Sequence, residues 1–251
     1  MKVTFLGCGD GFSLEQGHNS ALLTFAGTNL CIDFPESNHL GLHQLGLQLN
    51  QIENLFITHL HEDHINGLQK LALFHKVYPG QTKPKLYVPT GLKADLWQCL
   101  RHGLELTTRG KREFEDYFDI ICVDHEFEIA GIRFELVQTL HVPDMLSYGL
   151  LCKPYFYFSG DTRFDESYIL SIADEVQTIY YECHLQNDQL PSHTSLEELL
   201  TLPDEIQAKM MLMHYVDDYV HAAAREKFHA EYTLRIAEPL SGYDGESWRR
   251  Q

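Results

Sequence analysis

The sequence predicts an α/β chain folded as an αββα sandwich: two packed mixed β-sheets with helices on their outer faces. Three observations carry this. Strand-like apolar runs fall into two groups with helical periodicities outside them. Several of those runs end on a His or Asp, as if strand ends were gathered at one edge. With 251 residues, 44% of them hydrophobic, and no Pro/Gly/Ser-rich linker or composition shift, the chain reads as one domain over 1–251.

In order, the apolar runs place strands near 2–7, 20–25, 29–34, 54–58, 85–88, 119–123, 126–138, 147–158, 177–181 and 209–213. Helical spacing appears over Leu40 to Leu47, Ile65 to Val77, Leu92 to Leu104, Glu113 to Tyr117, Ser195 to Leu200 and Val220 to Phe228. Asp165 to Ala173 reads as a further short helix. There is no internal repeat and no low-complexity tract. No secretory stretch precedes the first strand, and no run reaches the roughly 18 apolar residues of a membrane span, so a cytoplasmic protein is expected, with no membrane partner. The six cysteines, Cys8, Cys31, Cys99, Cys122, Cys152 and Cys183, are far apart and without a Cys-x-x-Cys, which predicts reduced and mostly buried thiols.

The chemistry concentrates in His59-Leu60-His61-Glu62-Asp63-His64, which follows the apolar Leu55-Phe56-Ile57. Alternate residues of an extended segment point the same way, so His59 and His61 can converge on one cation while Asp63 and His64, past the turn, reach a second. A polar loop that happens to hold histidines is the weaker reading, because matching residues stand downstream. His141 follows Phe134-Glu135-Leu136-Val137, Asp161 ends Tyr155 to Thr162, and His214 ends Met210-Met211-Leu212-Met213. Any one of these alone would pass as a turn residue; together they mark one site.

The set resembles the metallo-β-lactamase fold in its ribonuclease Z-like phosphodiesterase branch. The likeness runs from Thr4-Phe5-Leu6-Gly7-Cys8-Gly9-Asp10 through Asn19-Ser20 and Cys31-Ile32-Asp33-Phe34-Pro35-Glu36 to His214-Tyr215-Val216-Asp217-Asp218-Tyr219. It implies His59, His61 and His141 on one zinc, Asp63, His64 and His214 on a second, and Asp161 bridging both. It also implies that Glu182, in Tyr181-Glu182-Cys183-His184, and His193, in Ser192-His193-Thr194-Ser195, form the pair that protonates the leaving oxygen. The bland reading of that pair is a surface ion pair. Zinc is the default for so His-rich a set, with manganese as the alternative.

Two such ions, roughly 3.5 to 4 Å apart, neutralise a phosphate and bring a bound water to a pKa of about 7. Asp63 then orients or deprotonates that water, and His193, held protonated by Glu182, serves as general acid.

The substrate is constrained by charge. Lys and Arg total 19 against 36 Asp and Glu, a formal net charge of −17, whereas a stable nucleic-acid partner would call for a basic face. The transfer-RNA-processing members carry a gripping arm between the third metal histidine and the bridging aspartate, yet His141 and Asp161 are only 20 residues apart. Armless chains of this branch resemble the anti-Pycsar phosphodiesterases of phage type. That likeness implies a homodimer that hydrolyses 3′,5′-cyclic mononucleotides, cCMP, cUMP, cAMP and cGMP, to 5′-monophosphates and so disables a nucleotide-triggered defence. The alternatives are a ribonuclease Z-like tRNA 3′ endonuclease, a lactonase or thioesterase, and a non-catalytic nucleotide sponge.

One insertion, about 92–118, holds Arg109, Lys111 and Arg112 followed by Phe114, Tyr117 and Phe118. It reads as a substrate lid in which basic groups hold phosphate and an aromatic stacks on the base, as a dimer contact, or as a surface turn with core aromatics. The remaining histidines, His18, His39, His43, His75, His102, His125, His184, His221 and His229, have no partner at metal spacing and are set aside as ligands.

Overall fold

A computed structural model describes residues 1–244 apart from Pro79 and Gln81. It opens with β1 (Lys2–Gly7), β2 (Ser20–Phe25) and β3 (Thr28–Ile32), then α1 (Asn38–Gln44), β4 (Asn54–Phe56), α2 (Glu62–Ile65) and α3 (Leu68–Val77). There follow β5 (Lys85–Pro89), α4 (Lys93–Leu104), the small hairpin β6 (Leu106–Thr107) and β7 (Gly110–Lys111), and β8 (Asp119–Val123). Next come β9 (Glu126–Ile129), β10 (Ile132–Gln138), β11 (Tyr148–Cys152), β12 (Phe156–Phe158), α5 (Glu166–Ile172) and β13 (Thr178–Glu182). The described chain ends with α6 (Leu196–Leu199), α7 (Asp204–Gln207), β14 (Met210–Met213), α8 (Ala222–Glu231), β15 (Arg235–Ile236) and β16 (Gly242–Asp244).

Among the described residues, the strands other than the β6–β7 hairpin form two seven-stranded sheets, ordered β16-β1-β2-β3-β4-β5-β8 and β15-β14-β13-β12-β11-β10-β9. Each is antiparallel at one end and parallel at the other. This is the predicted sandwich. Period-two alternation sorts the first sheet's side chains: Phe5, Leu23, Ile32 and Phe56 face the second sheet, while Leu6, Leu22, Cys31 and Leu55 lie with Leu68, Leu71, Leu96 and Leu100 of α3 and α4. Aromatics knit the sheets together, with ring centroids 5.5 Å apart for Phe5 and Tyr180 and 4.4 Å for Tyr87 and Phe127. All six cysteines are free thiols, and Cys8, Cys31, Cys152 and Cys183 are buried.

Several expected elements differ for local reasons. The single strand expected over 126–138 is the hairpin β9–β10, in which Ala130 and Gly131 both take positive φ, 49° and 79°, as a two-residue turn of mirror-image type requires. The run 147–158 is likewise two antiparallel strands, β11 and β12. The helix expected over 65–77 divides at Asn66-Gly67, because Gly67 lies so close to the Pro35 carbonyl that a Cβ there would meet its oxygen at 2.4 Å. Glu113 to Tyr117 forms only one 3-10 turn, Phe114–Asp116. The short β6, β7, β15, β16 and α7 were not foreseen. Among the described residues, no helix is long and apolar enough to cross a membrane.

Candidate metal centre

The chain leaves β4 at Phe56, is extended at His61, and then turns into α2, so one short connection presents His59, His61, Asp63 and His64. From the second sheet, His141 comes from just beyond β10, Asp161 beyond β12 and His214 beyond β14. All seven predicted ligands meet.

His59 Nε2 and His141 Nε2 each lie 3.0 Å from His61 Nδ1. Asp161 Oδ2 is 3.7 Å from the first and 3.9 Å from the second. In the other group, His64 Nε2 and His214 Nε2 stand 3.3 and 3.5 Å from Asp63 Oδ2. The same Asp161 oxygen is 3.5 Å from His64 Nε2 and 3.4 Å from His214 Nε2. One carboxylate oxygen thus borders both groups. Tetrahedral ligands on bonds of about 2.1 Å are about 3.4 Å from one another, which is the spacing seen here.

The supporting bonds leave lone pairs facing inward. His64 Nδ1 donates to Asp33 Oδ2 at 2.7 Å and His141 Nδ1 to the Ser192 carbonyl at 2.8 Å. Thr58 Oγ1 gives its one proton to Asp33 Oδ2 at 2.7 Å, so it accepts from His59 Nδ1 at 3.0 Å. Each bond fixes a tautomer in which Nε2 is free to coordinate. Buried His64 Nε2 and Asp161 Oδ1 have no hydrogen-bond partner of their own, as atoms reserved for a cation would.

Electrostatics agree. Burial works against charge on His64 and His214, yet the Asp161 carboxylate outweighs it, aided at His64 by Asp33 and at His214 by Asp63. His64 is raised well above the usual imidazole value and His214 to about 9. Burial likewise opposes ionisation of Asp161 and Asp63, but the surrounding histidines hold both carboxyls well below their ordinary range. Burial holds His59, His61 and His141 below the usual imidazole value, so those three are neutral donors and the demand for positive charge falls on the His64 and His214 side. Protons supply it in the bare protein, and the donor set fits divalent metal in their place.

Glu182, at the end of β13, is fully buried and accepts from the Thr162 amide and from His193 Nδ1, each at 3.0 Å. The His193 ring stacks on His214 with centroids 5.3 Å apart and meets His141 edge-on at 5.0 Å. The pair is therefore part of the centre and not a surface ion pair. Burial, with the Asp161 charge added, pushes Glu182 up, and burial pushes His193 down. Burial thus disfavours separate charges on the two side chains, which meet in a single hydrogen bond.

A cleft of about 460 Å³ opens over these groups, lined in part by Asp10, Gly11, Phe12, His184, Gln186 and Leu190. Within the described chain, residues 92–118 contribute nothing to its lining. Phe114, Tyr117 and Phe118 are buried against α4 and its neighbours, with Trp97 stacked on Phe114 at 5.2 Å, so of the readings open for this segment the one with core aromatics describes these three. Sequence reading missed Asp33, although its sign was present, an acid ending the apolar strand Cys31-Ile32. It also set aside His184. That residue lines the cleft, takes the Gln186 amide on Nδ1 at 3.2 Å, and keeps a buried Nε2 without a partner.

A family model described as "Anti-Pycsar protein Apyc1" matches residues 1–233. The chain belongs to that family. An Apyc1 relative from Paenibacillus harenae is 36% identical over 249 residues, covering 97% of this chain and 100% of its own. Another, from Bacillus phage vB_BsuM-Goe3, is 37% identical over 248 residues, covering 90% of this chain and 95% of its own. Among solved structures, the metallo-β-lactamase fold protein YhfI of Bacillus subtilis superposes with a TM-score of 0.75 at 17% identity, covering 97% of this chain and 99% of YhfI. The Apyc1 family chain described here therefore has the metallo-β-lactamase fold.

Proposed function

We propose that this chain is a dinuclear zinc phosphodiesterase that opens 3′,5′-cyclic mononucleotides to 5′-monophosphates and thereby blunts a cyclic-nucleotide defence against phage. The observation that carries the proposal is the Asp161 oxygen lying 3.4 to 3.9 Å from nitrogens of both histidine groups, a bridging position. His59, His61 and His141 would hold one ion and Asp63, His64 and His214 the other. Once bound, two zinc ions would offset the phosphate charge and bring a water near a pKa of about 7.

The chain's own groups do the rest. Asp63, which lines the cleft beside His64 and His214, orients the attacking water. As the P–O3′ bond breaks, His193 passes the proton on its Nε2 to O3′ while Glu182 holds Nδ1, and the proton given up by the attacking water restores the acid. The water's oxygen joins phosphorus and the product is a 5′-monophosphate.

A small substrate is favoured by the cleft, whose roughly 460 Å³ suits one nucleotide, and by a net charge of −17 that repels long polyanions. The stretch between His141 and Asp161 is consumed by β11, β12 and their turns, which leaves no gripping arm. The names of its relatives support the defence-blocking role, and a homodimer is part of the proposal on the family resemblance alone.

To test this, zinc-loaded protein is incubated with cCMP, cUMP, cAMP and cGMP and the products are separated. Formation of 5′-monophosphates is expected. Intact ligand recovered after denaturation would replace hydrolysis with sequestration, and absence of both turnover and binding would remove the reading.

A further inference from the structure

We propose that Phe12 is the base-stacking platform of the cleft, a substrate-binding residue that accepts any nucleobase; the inference rests on the phosphodiesterase reading above. Phe12 is 91% exposed, an unusual state for so apolar a side chain, and it lines the cleft above the metal-ligating cluster. The loop that carries it is held on both sides. The Phe12 amide donates to Asp10 Oδ1 at 3.0 Å, Ser13 Oγ donates to Asp217, and the Leu14 amide reaches the same carboxylate at 2.7 Å. Gln16 Nε2 adds a bond to the Val216 carbonyl at 3.2 Å. A ring exposed on a loop so tied is presented, not left over from a loose segment.

Its position relative to the chemistry is also fixed. Gly11 packs against Asp63, so that a Cβ on it would stand 3.2 Å from that carboxylate. Phe12 is the next residue, with its Cα about 3.8 Å further along the chain. An aromatic face therefore begins within one nucleoside's length of the groups that would hold the phosphate. Leu190 and Val216 line the same cleft and offer further apolar surface. Stacking needs only a π-face, which every base has, so this device gives affinity without selecting a base.

The test is steady-state kinetics of zinc-loaded wild type, Phe12→Ala and Phe12→Trp on the four cyclic nucleotides and on a 1-methoxyribose 3′,5′-cyclic phosphate, which lacks a base. Phe12→Ala should raise KM about tenfold or more for every nucleotide. Its kcat, zinc content and KM for the base-free diester should be unchanged, and Phe12→Trp should restore nucleotide KM. Unchanged nucleotide KM in Phe12→Ala, or an equal rise on the base-free diester, overturns the proposal. So does a change in sedimentation coefficient for Phe12→Ala, which would make Phe12 a contact between copies, with the equally exposed Leu14 as its partner. Equilibrium dialysis with cAMP separates the two layers. Phe12-dependent binding without turnover removes hydrolysis alone, whereas no binding to wild type removes both.

Discussion

The first sheet delivers His59, His61, Asp63 and His64 from a single connection after β4, whereas the second delivers His141, Asp161 and His214 one at a time from three strand ends. The first group is placed by local geometry and by one buried acid, Asp33, which bonds Thr58 and His64. The second is placed by register. Phe158 pairs with Tyr180 and Tyr181 with Leu212, and a slip of one residue would turn every side chain to the opposite face. One half of the centre is thus a property of a peptide and the other a property of a sheet.

The largest effect should come from the residue that joins the halves. Asp161→Ala is expected to lower metal content below one ion per subunit and reduce hydrolysis to the assay background, measured by elemental analysis and product formation. Retained turnover would mean that the halves work without a bridge. His193→Ala should lower kcat by about 10² to 10⁴ with metal retained. A p-nitrophenyl phosphodiester, whose leaving group needs no proton, should lose much less. If both substrates fall alike, His193 is not the acid.

Asp33→Asn probes the support of the first half and should weaken metal affinity by about 10- to 100-fold in a competition titration with a chelator. Dependence on pH is smaller and follows from competition for the same nitrogens. In the metal-free protein His214 holds its proton to about 9, so a cation binding at neutral pH must expel it. Affinity should rise with pH from neutrality toward about 9, as His214 and His64 give up their protons, and calorimetry in buffers of different ionisation heat should register proton release. The least effect is expected from replacing Arg109, Lys111 and Arg112 together by Ala, since within one chain they lie outside the cleft. A raised KM would show instead that this segment reaches the cleft of a second copy.

The sandwich, and the seven residues that meet at the candidate metal centre, were legible because apolar strands run out on His or Asp and because His59 to His64 sit in a pattern that chance rarely produces. Turns were harder. Ala130-Gly131 interrupts an apolar run without a Pro or Asn to mark it, and the break at Gly67 depends on Pro35, a residue far away in the chain. The role of an aromatic could not be read from composition at all. Phe114 and Phe12 are the same residue type, yet one is packed beneath Trp97 and the other stands in solvent at the cleft. Asp33 was hidden for a related reason, since its work lies in bonds to side chains 25 and 31 positions onward.

Thr58 touches nearly every part of this arrangement. Its amide and hydroxyl hold Asp33, its carbonyl accepts the Tyr148 amide of β11 at 3.0 Å, and its hydroxyl steadies His59. Gly160, at φ 61°, is packed so tightly beside it that an added Cβ would fall 3.3 Å from Thr58 Cβ and 2.8 Å from the Tyr148 carbonyl oxygen. The layers are pinned to one another at the very point from which both half-sites hang. Cation release and separation of the layers should then be a single cooperative event, so that a chelator lowers the melting temperature of the whole molecule rather than loosening one loop.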